Sequence, residues 1–391
     1  MESKWNRQRY HKAGDRLRKI YLDNAATTKP LPDILGTINR YLIDDWYNPS
    51  AKYRPAASIA RDIDSARHTI ASKIGAQDSE IFFTSGASEA NSTAIGGYLR
   101  SHSYAFPQVV TTAIEHKSVL EVTDDCFTFA KCAVCTRLEP DSCGVIRITK
   151  EQAGNQPLQT LYSIQWANNE LGTIQDIESL AKTCVDAGGV FHTDATQAFP
   201  HIPIDVNKVP VDMMSVSAHK FGGPKGIGFL YIRESCQHMI YPLIYGAQER
   251  GFRGGTENVP YIMGMAKAVE LLKQTNDCPT ADYLSERLVK ELGCIINGGE
   301  NKLCHIVSCT FPDYVVGEYL IRRLSQRGIY LSSGSACNAH SGTPSTVLDA
   351  IGLTHDEIAR TVRFSLSDEI TCEDVDYVID SIKDICRELQ M

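Results

Sequence analysis

From residue 58 onward, apolar side chains return every three to four positions: Ile59, Ile63, Ala66, Ile70 and Ile74. That spacing predicts a helix with one buried face, closed by Gly75. The run Glu80-Ile81-Phe82-Phe83-Thr84 predicts a short strand, and Ser85-Gly86-Ala87-Ser88-Glu89 a turn into a second helix. Strand-like runs recur at 108–113, 159–166, 190–193, 211–217 and 227–232, with helical patterns between several of them, notably at 176–187. Strands alternating with helices imply a mostly parallel sheet with both faces covered.

Near residue 270 the rhythm changes. Helical patterns at 258–274 and 280–292 follow in succession, then shorter strands at 304–311 and 329–333 with a helix between them. A last helix at 373–389 carries the stripe Val375, Val378, Ile379, Ile382 and Ile385. A chain of 391 residues is too long for one simple core. We read a basic N-terminal extension at 1–20, a large domain at 21–270 and a smaller C-terminal α/β domain at 271–391. The first few residues of the large domain are expected to pack on the small one. No internal repeat or low-complexity segment interrupts this pattern.

Composition narrows the function classes. Hydrophobic residues make up 43% and charged residues 22%, an ordinary globular mixture, and a net charge of −8 does not suit a polyanion binder as a whole. No uncharged apolar stretch reaches the length of a bilayer, and the N-terminus lacks a signal-peptide core, so no membrane association and a cytoplasmic location are expected. Thirteen scattered cysteines, an odd number, fit free thiols in a reducing compartment. Cys126, Cys132, Cys135 and Cys143 form a C-x5-C-x2-C-x7-C array with ligands enough for zinc. Because Cys132 and Cys135 lie on or near a strand, we read them as structural and expect no metal. Residues 1–20 carry Lys4, Arg7, Arg9, Lys12, Arg16, Arg18 and Lys19 against Glu2 and Asp15. They read as a loosely docked tail, with a nucleic-acid or partner contact as the sharper alternative.

Four segments carry candidate chemistry. Thr84-Ser85-Gly86-Ala87-Ser88 joins a strand end to a helix start, where backbone N–H groups and the helix dipole favour an anion such as a phosphate; the same turn also serves as a plain N-cap. Phe191-His192-Thr193-Asp194 delivers a carboxylate to the C-terminal end of a strand, where open α/β sheets bind ligands, with Gln197 three residues on; Asp194 as a helix cap is the bland alternative. Ser217-Ala218-His219-Lys220-Phe221-Gly222-Gly223 sets a lysine at a strand end before a glycine-rich turn, either a poised amine or a solvated turn. Ser332-Ser333-Gly334-Ser335-Ala336-Cys337-Asn338-Ala339-His340 places one cysteine among small polar residues, as an exposed reactive thiol requires, although no neighbouring cation is evident.

Together these segments resemble the cysteine desulfurases of the NifS/IscS type, in the class V aminotransferase branch of fold-type I pyridoxal phosphate enzymes. The likeness runs from about Tyr21 to about Leu389. It rests also on Tyr21-Leu22-Asp23-Asn24-Ala25-Ala26-Thr27-Thr28, Asn48-Pro49-Ser50, Glu115-His116-Lys117-Ser118-Val119, Asn168-Asn169-Glu170-Leu171-Gly172, Arg253-Gly254-Gly255-Thr256 and Val362-Arg363-Phe364-Ser365. Each motif alone is weak; their order and spacing are specific. The resemblance implies a large domain with a mostly parallel seven-stranded sheet and a smaller C-terminal domain. It implies that Lys220 holds pyridoxal 5'-phosphate through a Schiff base, that Asp194 pairs with the pyridine nitrogen, and that Gln197 bonds the phenolic oxygen. His116 would stack on the ring and move protons. Ala87, Ser88, Ser217 and His219 would hold the phosphate, and Thr256 would reach the phosphate of a second copy, which implies a homodimer with shared sites. Asn169, beside the cofactor, and Arg363 would orient the substrate. Cys337 would take the sulfur of L-cysteine as a persulfide, release alanine and deliver the sulfur to an acceptor protein.

Departures from the family pattern cluster after Cys337, where Asn338-Ala339-His340 and Gly342-Thr343 stand in place of the usual residues. They bear on the acceptor more than on the chemistry, and iron–sulfur assembly, tRNA thiolation and DNA phosphorothioation all stay open. Selenocysteine lyase activity fits the same residues. An aminotransferase would not need Cys337, and a non-catalytic sulfur carrier would not need Lys220, Asp194 and His116 together.

Overall fold

The computed structural model describes residues 18–131, 133–154, 160–333 and 344–390. The chain opens with a two-residue strand, β1 (Ile20–Tyr21). A large sheet then takes β2 (Ile81–Thr84), β3 (Gln108–Thr112), β4 (Val134–Leu138), β5 (Thr160–Ser163), β6 (Val190–Asp194), β7 (Met213–Ser217) and β8 (Gly228–Ile232). Their order is β2-β8-β7-β6-β5-β3-β4, and only β8 runs against its neighbours. This is the mostly parallel seven-stranded sheet anticipated above.

The apolar runs explain the layering. Side chains alternate across a strand, so Ile81, Phe83, Val110, Tyr162, Phe191, Met214 and Phe229 enter one core. Phe82, Val109, Leu161, Val190, Met213 and Leu230 enter another on the opposite face. A sheet buried on both sides needs near-continuous apolar strands, which is what the sequence carries.

The helix read from residue 58 runs Arg54–Ile74. It begins earlier because Pro55 suits a first turn, where its missing N–H costs no hydrogen bond. It ends at Gly75, whose φ of 71° is a left-handed cap; a Cβ there would lie 2.7 Å from Asp205 Oδ1. Helix Val259–Leu271 packs beside it, and helix Pro32–Ile43 packs on Val259–Leu271.

The remaining strands are β9 (Ile295–Ile296), β10 (Ile306–Thr310), β11 (Ile329–Tyr330), β12 (Ser332–Ser333) and β13 (Thr361–Ser365). An antiparallel sheet orders them β12-β13-β10-β9, while β11 pairs in parallel with β1. Helices Pro279–Leu292, Gly317–Gln326 and Cys372–Gln390 accompany them. Their apolar stripes form a third core that includes Ile20 and Leu22. The N-terminal segment therefore starts in this second half and crosses to the first: Ala25 N donates to Ser365 Oγ at 2.9 Å, and Thr28 N to His219 O at 2.9 Å.

Candidate active site

A cavity of about 550 Å³ opens where the parallel strands end. Its walls are the residues just beyond β2, β3, β5, β6 and β7, with Ala25–Thr27 on one side and Val347 and Arg363 from the second half on another. Carboxyl ends of strands are where an open α/β sheet leaves a crevice.

The β2 end is shaped by glycine. Gly86 has φ 149° and ψ −179°, and Gly228 on neighbouring β8 lies so near that a Cβ there would stand 2.8 Å from Gly86 Cα. This close approach sets the start of helix Ala87–Ser101 against the cavity. No side chain caps that helix, so the amides of its first turn are left for an anion. Glu89 in the same turn accepts from Ser85 N at 2.9 Å and pairs with Arg253 at 2.9 Å. Burial opposes its charge, but the bonds from Arg253 and Ser85 outweigh burial and hold the carboxyl below its ordinary range.

Lys220 follows β7 in a tight turn covered by the N-terminal segment. Its Nζ donates to Ala25 O at 2.5 Å and Ala26 O at 2.8 Å. His219 Nδ1 lies 3.1 Å from Thr27 Oγ1. Burial, then Lys220, Lys225 and His116, push His219 down to about 4, so it is neutral near pH 7. Asp194 ends β6 and is buried; Asn91 Nδ2 donates to its Oδ2 at 2.7 Å and Thr196 N to its Oδ1 at 3.0 Å. Gln197 Nε2 donates to Ala25 O at 2.9 Å. His116 caps helix Lys117–Asp124, its Nδ1 accepting from Ser118 N at 3.1 Å.

Two carboxyls resist ionisation. Glu115 lies inside the protein, and burial pushes it up to about 8 despite bonds from Gln165 N and Thr112. Glu170 is likewise raised by burial, with Ser345 Oγ donating to its Oε2 at 2.6 Å. Arg363 is 1% exposed and held from two sides: its guanidinium donates to Asp23 Oδ1 at 2.6 Å and to Asn169 O at 2.8 Å. Arg363 Nε, Thr196 Oγ1 and Glu115 Oε2 are buried with no hydrogen-bond partner among the described residues.

Ten of the residues singled out in the sequence line this one cavity: Ala87, Ser88, His116, Asn169, Asp194, Gln197, Ser217, His219, Lys220 and Arg363. Thr256 does not; it stands on an exposed segment outside. Cys337 lies outside the described residues.

The chain matches the family model Aminotransferase class-V over residues 20–378. It is 38% identical to the cysteine desulfurase IscS of Methanosarcina thermophila over 381 residues, 95% of this chain and 93% of that one. The chain belongs to the cysteine desulfurase family. Among solved structures, a NifS-like protein superposes with TM-score 0.86 at 33% identity, covering 95% of this chain and all of that one. The structure titled SspA in complex with cysteine superposes with TM-score 0.79 at 38% identity, covering 89% of this chain and 99% of that one. Cysteine desulfurases depend on pyridoxal phosphate.

Sequence reasoning gave no role to several residues in or next to the wall of this cavity. Asp23, Glu115, Ser118 and Glu170 belonged to quoted motifs, but nothing local marked them as buried or paired. Asn91, inside a helix, carried no signal at all.

Proposed function

We propose that the chain is a pyridoxal-phosphate-dependent cysteine desulfurase that converts L-cysteine to L-alanine and carries the sulfur as a persulfide on Cys337. One observation carries this reading. An amine (Lys220), a buried carboxylate (Asp194) and an uncapped helix N-terminus (Ala87 and Ser88) open on a single cavity. Those three groups suit the aldehyde, the pyridine nitrogen and the phosphate of that cofactor, and the Thr196 hydroxyl, which has no partner among the described residues, is a further polar group for a ligand to meet.

Bound pyridoxal phosphate supplies an electron sink for the pair released at the substrate's Cα. Lys220 Nζ would hold the cofactor through its aldehyde and is the base placed to take the Cα proton. Ser217 and His219 would join the helix N-terminus in holding the phosphate, and Gln197 would bond the phenolic oxygen. Arg363, its plane fixed by Asp23 and Asn169, grips the substrate carboxylate. His116 would stack on the ring and move protons. The Cys337 thiolate attacks the substrate sulfur; an S–S bond forms, the C–S bond breaks, its electron pair goes to Cβ, and protonation at Cβ together with return of a proton to Cα gives alanine. No external oxidant or reductant is needed to form the persulfide.

The proposal extends to a homodimer. Thr256 is exposed, and nearby Arg253 is tied to Glu89 beside the helix N-terminus. Exposed apolar side chains at Leu42, Ile43, Trp46, Tyr53 and Tyr245 want cover that a second copy would provide. An acceptor protein then receives the sulfur in the cytoplasm. No described helix is long and apolar enough to cross a membrane.

The deciding test measures sulfide and alanine released from L-cysteine with a reductant present, in wild type and Cys337→Ser. Equal amounts from wild type, with both nearly lost in the variant, are expected. Full activity in Cys337→Ser, or neither product from cofactor-loaded wild type, would sink the reading.

A further inference from the structure

Asn91 is wholly buried one turn into helix Ala87–Ser101. Its amide nitrogen makes two bonds, to Asp194 Oδ2 at 2.7 Å and to Ser118 Oγ at 2.9 Å. Ser118 Oγ in turn lies 2.8 Å from His116 Nδ1. An amide nitrogen can only donate, so both of its hydrogens are spent on these contacts. Ser118 N can only donate and does so to His116 Nδ1, so that nitrogen is the acceptor, and the Ser118 hydroxyl, which accepts from Asn91, turns its own hydrogen to it. With its Nδ1 lone pair engaged, the neutral imidazole carries its proton on Nε2.

We infer that Asn91 is a positioning residue that sets Asp194 and His116 together, one amide hydrogen for each, with Ser118 as the relay. Asn91 Oδ1 supports the assignment: it is buried and has no partner among the described residues. Turning the amide over would bring that oxygen against the Asp194 carboxylate. The side chain thus leaves an acceptor unsatisfied, at a cost to stability, in order to serve two residues of the cavity wall. Asn91 and Ser118 need not touch the cofactor; they act through the residues that do. The inference rests on the cofactor reading above.

The test compares Asn91→Leu, close in shape but without donors, with Ser118→Ala and Ser118→Thr. Three quantities are read: the Kd for pyridoxal phosphate on reconstituting the apoprotein, the visible circular dichroism of the bound cofactor, and kcat and KM for alanine formation. Asn91→Leu is expected to raise Kd by about ten-fold or more and to change the dichroic band, because Asp194 keeps only its bond from Thr196 N. Ser118→Ala is expected to lower kcat several-fold with KM and Kd unchanged, and Ser118→Thr to restore it. In the double variant the kcat loss should not exceed that of Asn91→Leu alone, since one chain of bonds is cut once. An Asn91→Leu protein with wild-type Kd and dichroism, or a Ser118→Ala protein with wild-type kcat, would overturn the inference. If Asn91→Leu does not fold, judged by thermal unfolding of the apoprotein, the Ser118 pair decides alone. Wild type that binds no cofactor would instead defeat the reading beneath it.

Discussion

Glu115 carries two hydrogen bonds on one carboxyl oxygen and none on the other. Burial moves its proton affinity from 4.5 to about 8. Below pH 4.5 the folded and unfolded chains both hold the proton, and the stabilising contribution is intact. Between 4.5 and 8 only the unfolded chain ionises, so stability declines as pH rises and the decline ends once the folded carboxyl also ionises. Glu115→Gln removes this dependence. In calorimetry its Tm relative to wild type should climb steadily from pH 5 to 8, and parallel curves would refute the assignment. His192 shows the opposite case. Enclosed between Ser163 and Ser215 at 2.9 Å each, it is pushed by burial down to about 4. Its contribution is present above pH 6.5 and lost as pH falls toward 4, so His192→Gln should flatten the acid limb of the stability curve. Neither behaviour was legible in the sequence, where a glutamate or a histidine looks the same in water as in a core. The positions of Lys220 and Asp194 at strand ends facing the cavity were legible because a strand end and a turn announced them locally; Asn91 and Asp23 are placed by partners supplied by distant segments.

At the scale of elements, one buried ion pair fastens three of them. Arg67 projects from helix Arg54–Ile74 and donates to both oxygens of Glu249 at 2.8 Å and to Ile81 O at 2.7 Å. Glu249 also accepts from Phe83 N on β2 at 2.8 Å. Its segment pays for this in backbone strain, with φ of 46° at Glu249 and 55° at Arg250. Arg67→Met would leave a buried carboxylate without its cation, and a loss of about 3–5 kcal/mol is expected from urea unfolding. A loss below about 1 kcal/mol would mean the pair is replaceable. The long helices and both-faces-buried strands could be read from sequence because each repeats its signal over many residues. The strands β1 and β9 are two residues long and have no period to detect; only pairing across the chain defines them, and the single strand read at 329–333 is divided into β11 and β12 because the two pair with different strands. Arg67 escaped for a related reason: beside Ala66 and Ile70 it is one more polar residue in an amphipathic helix until Glu249 arrives.

For the molecule as a whole, the proposed pairing of two copies has a direct readout. Trp46 is 66% exposed and stacks on Tyr47, at a ring separation of 4.9 Å. Trp46→Glu should shift sedimentation from twice the 43.2 kDa chain mass toward one chain and weaken cofactor retention, because Thr256 of one copy would no longer reach the other. Unchanged sedimentation would place the contact elsewhere.

The N-terminal segment has a consequence in time as well as space. Asn24 donates to Ser365 O across 341 positions, and β1 has no strand partner until β11 exists. During synthesis the residues of β1, which emerge early, must wait for nearly the last. The carbonyls of Ala25 and Ala26 that receive Lys220 belong to that waiting stretch. On the proposed role of Lys220, the lysine pocket is incomplete on a nascent chain still lacking β13, and cofactor capture is expected only after β13 has been made. Closing a loop of that length late also makes this docking a slow step of refolding, so recovery of the cofactor's colour should lag behind recovery of helical signal.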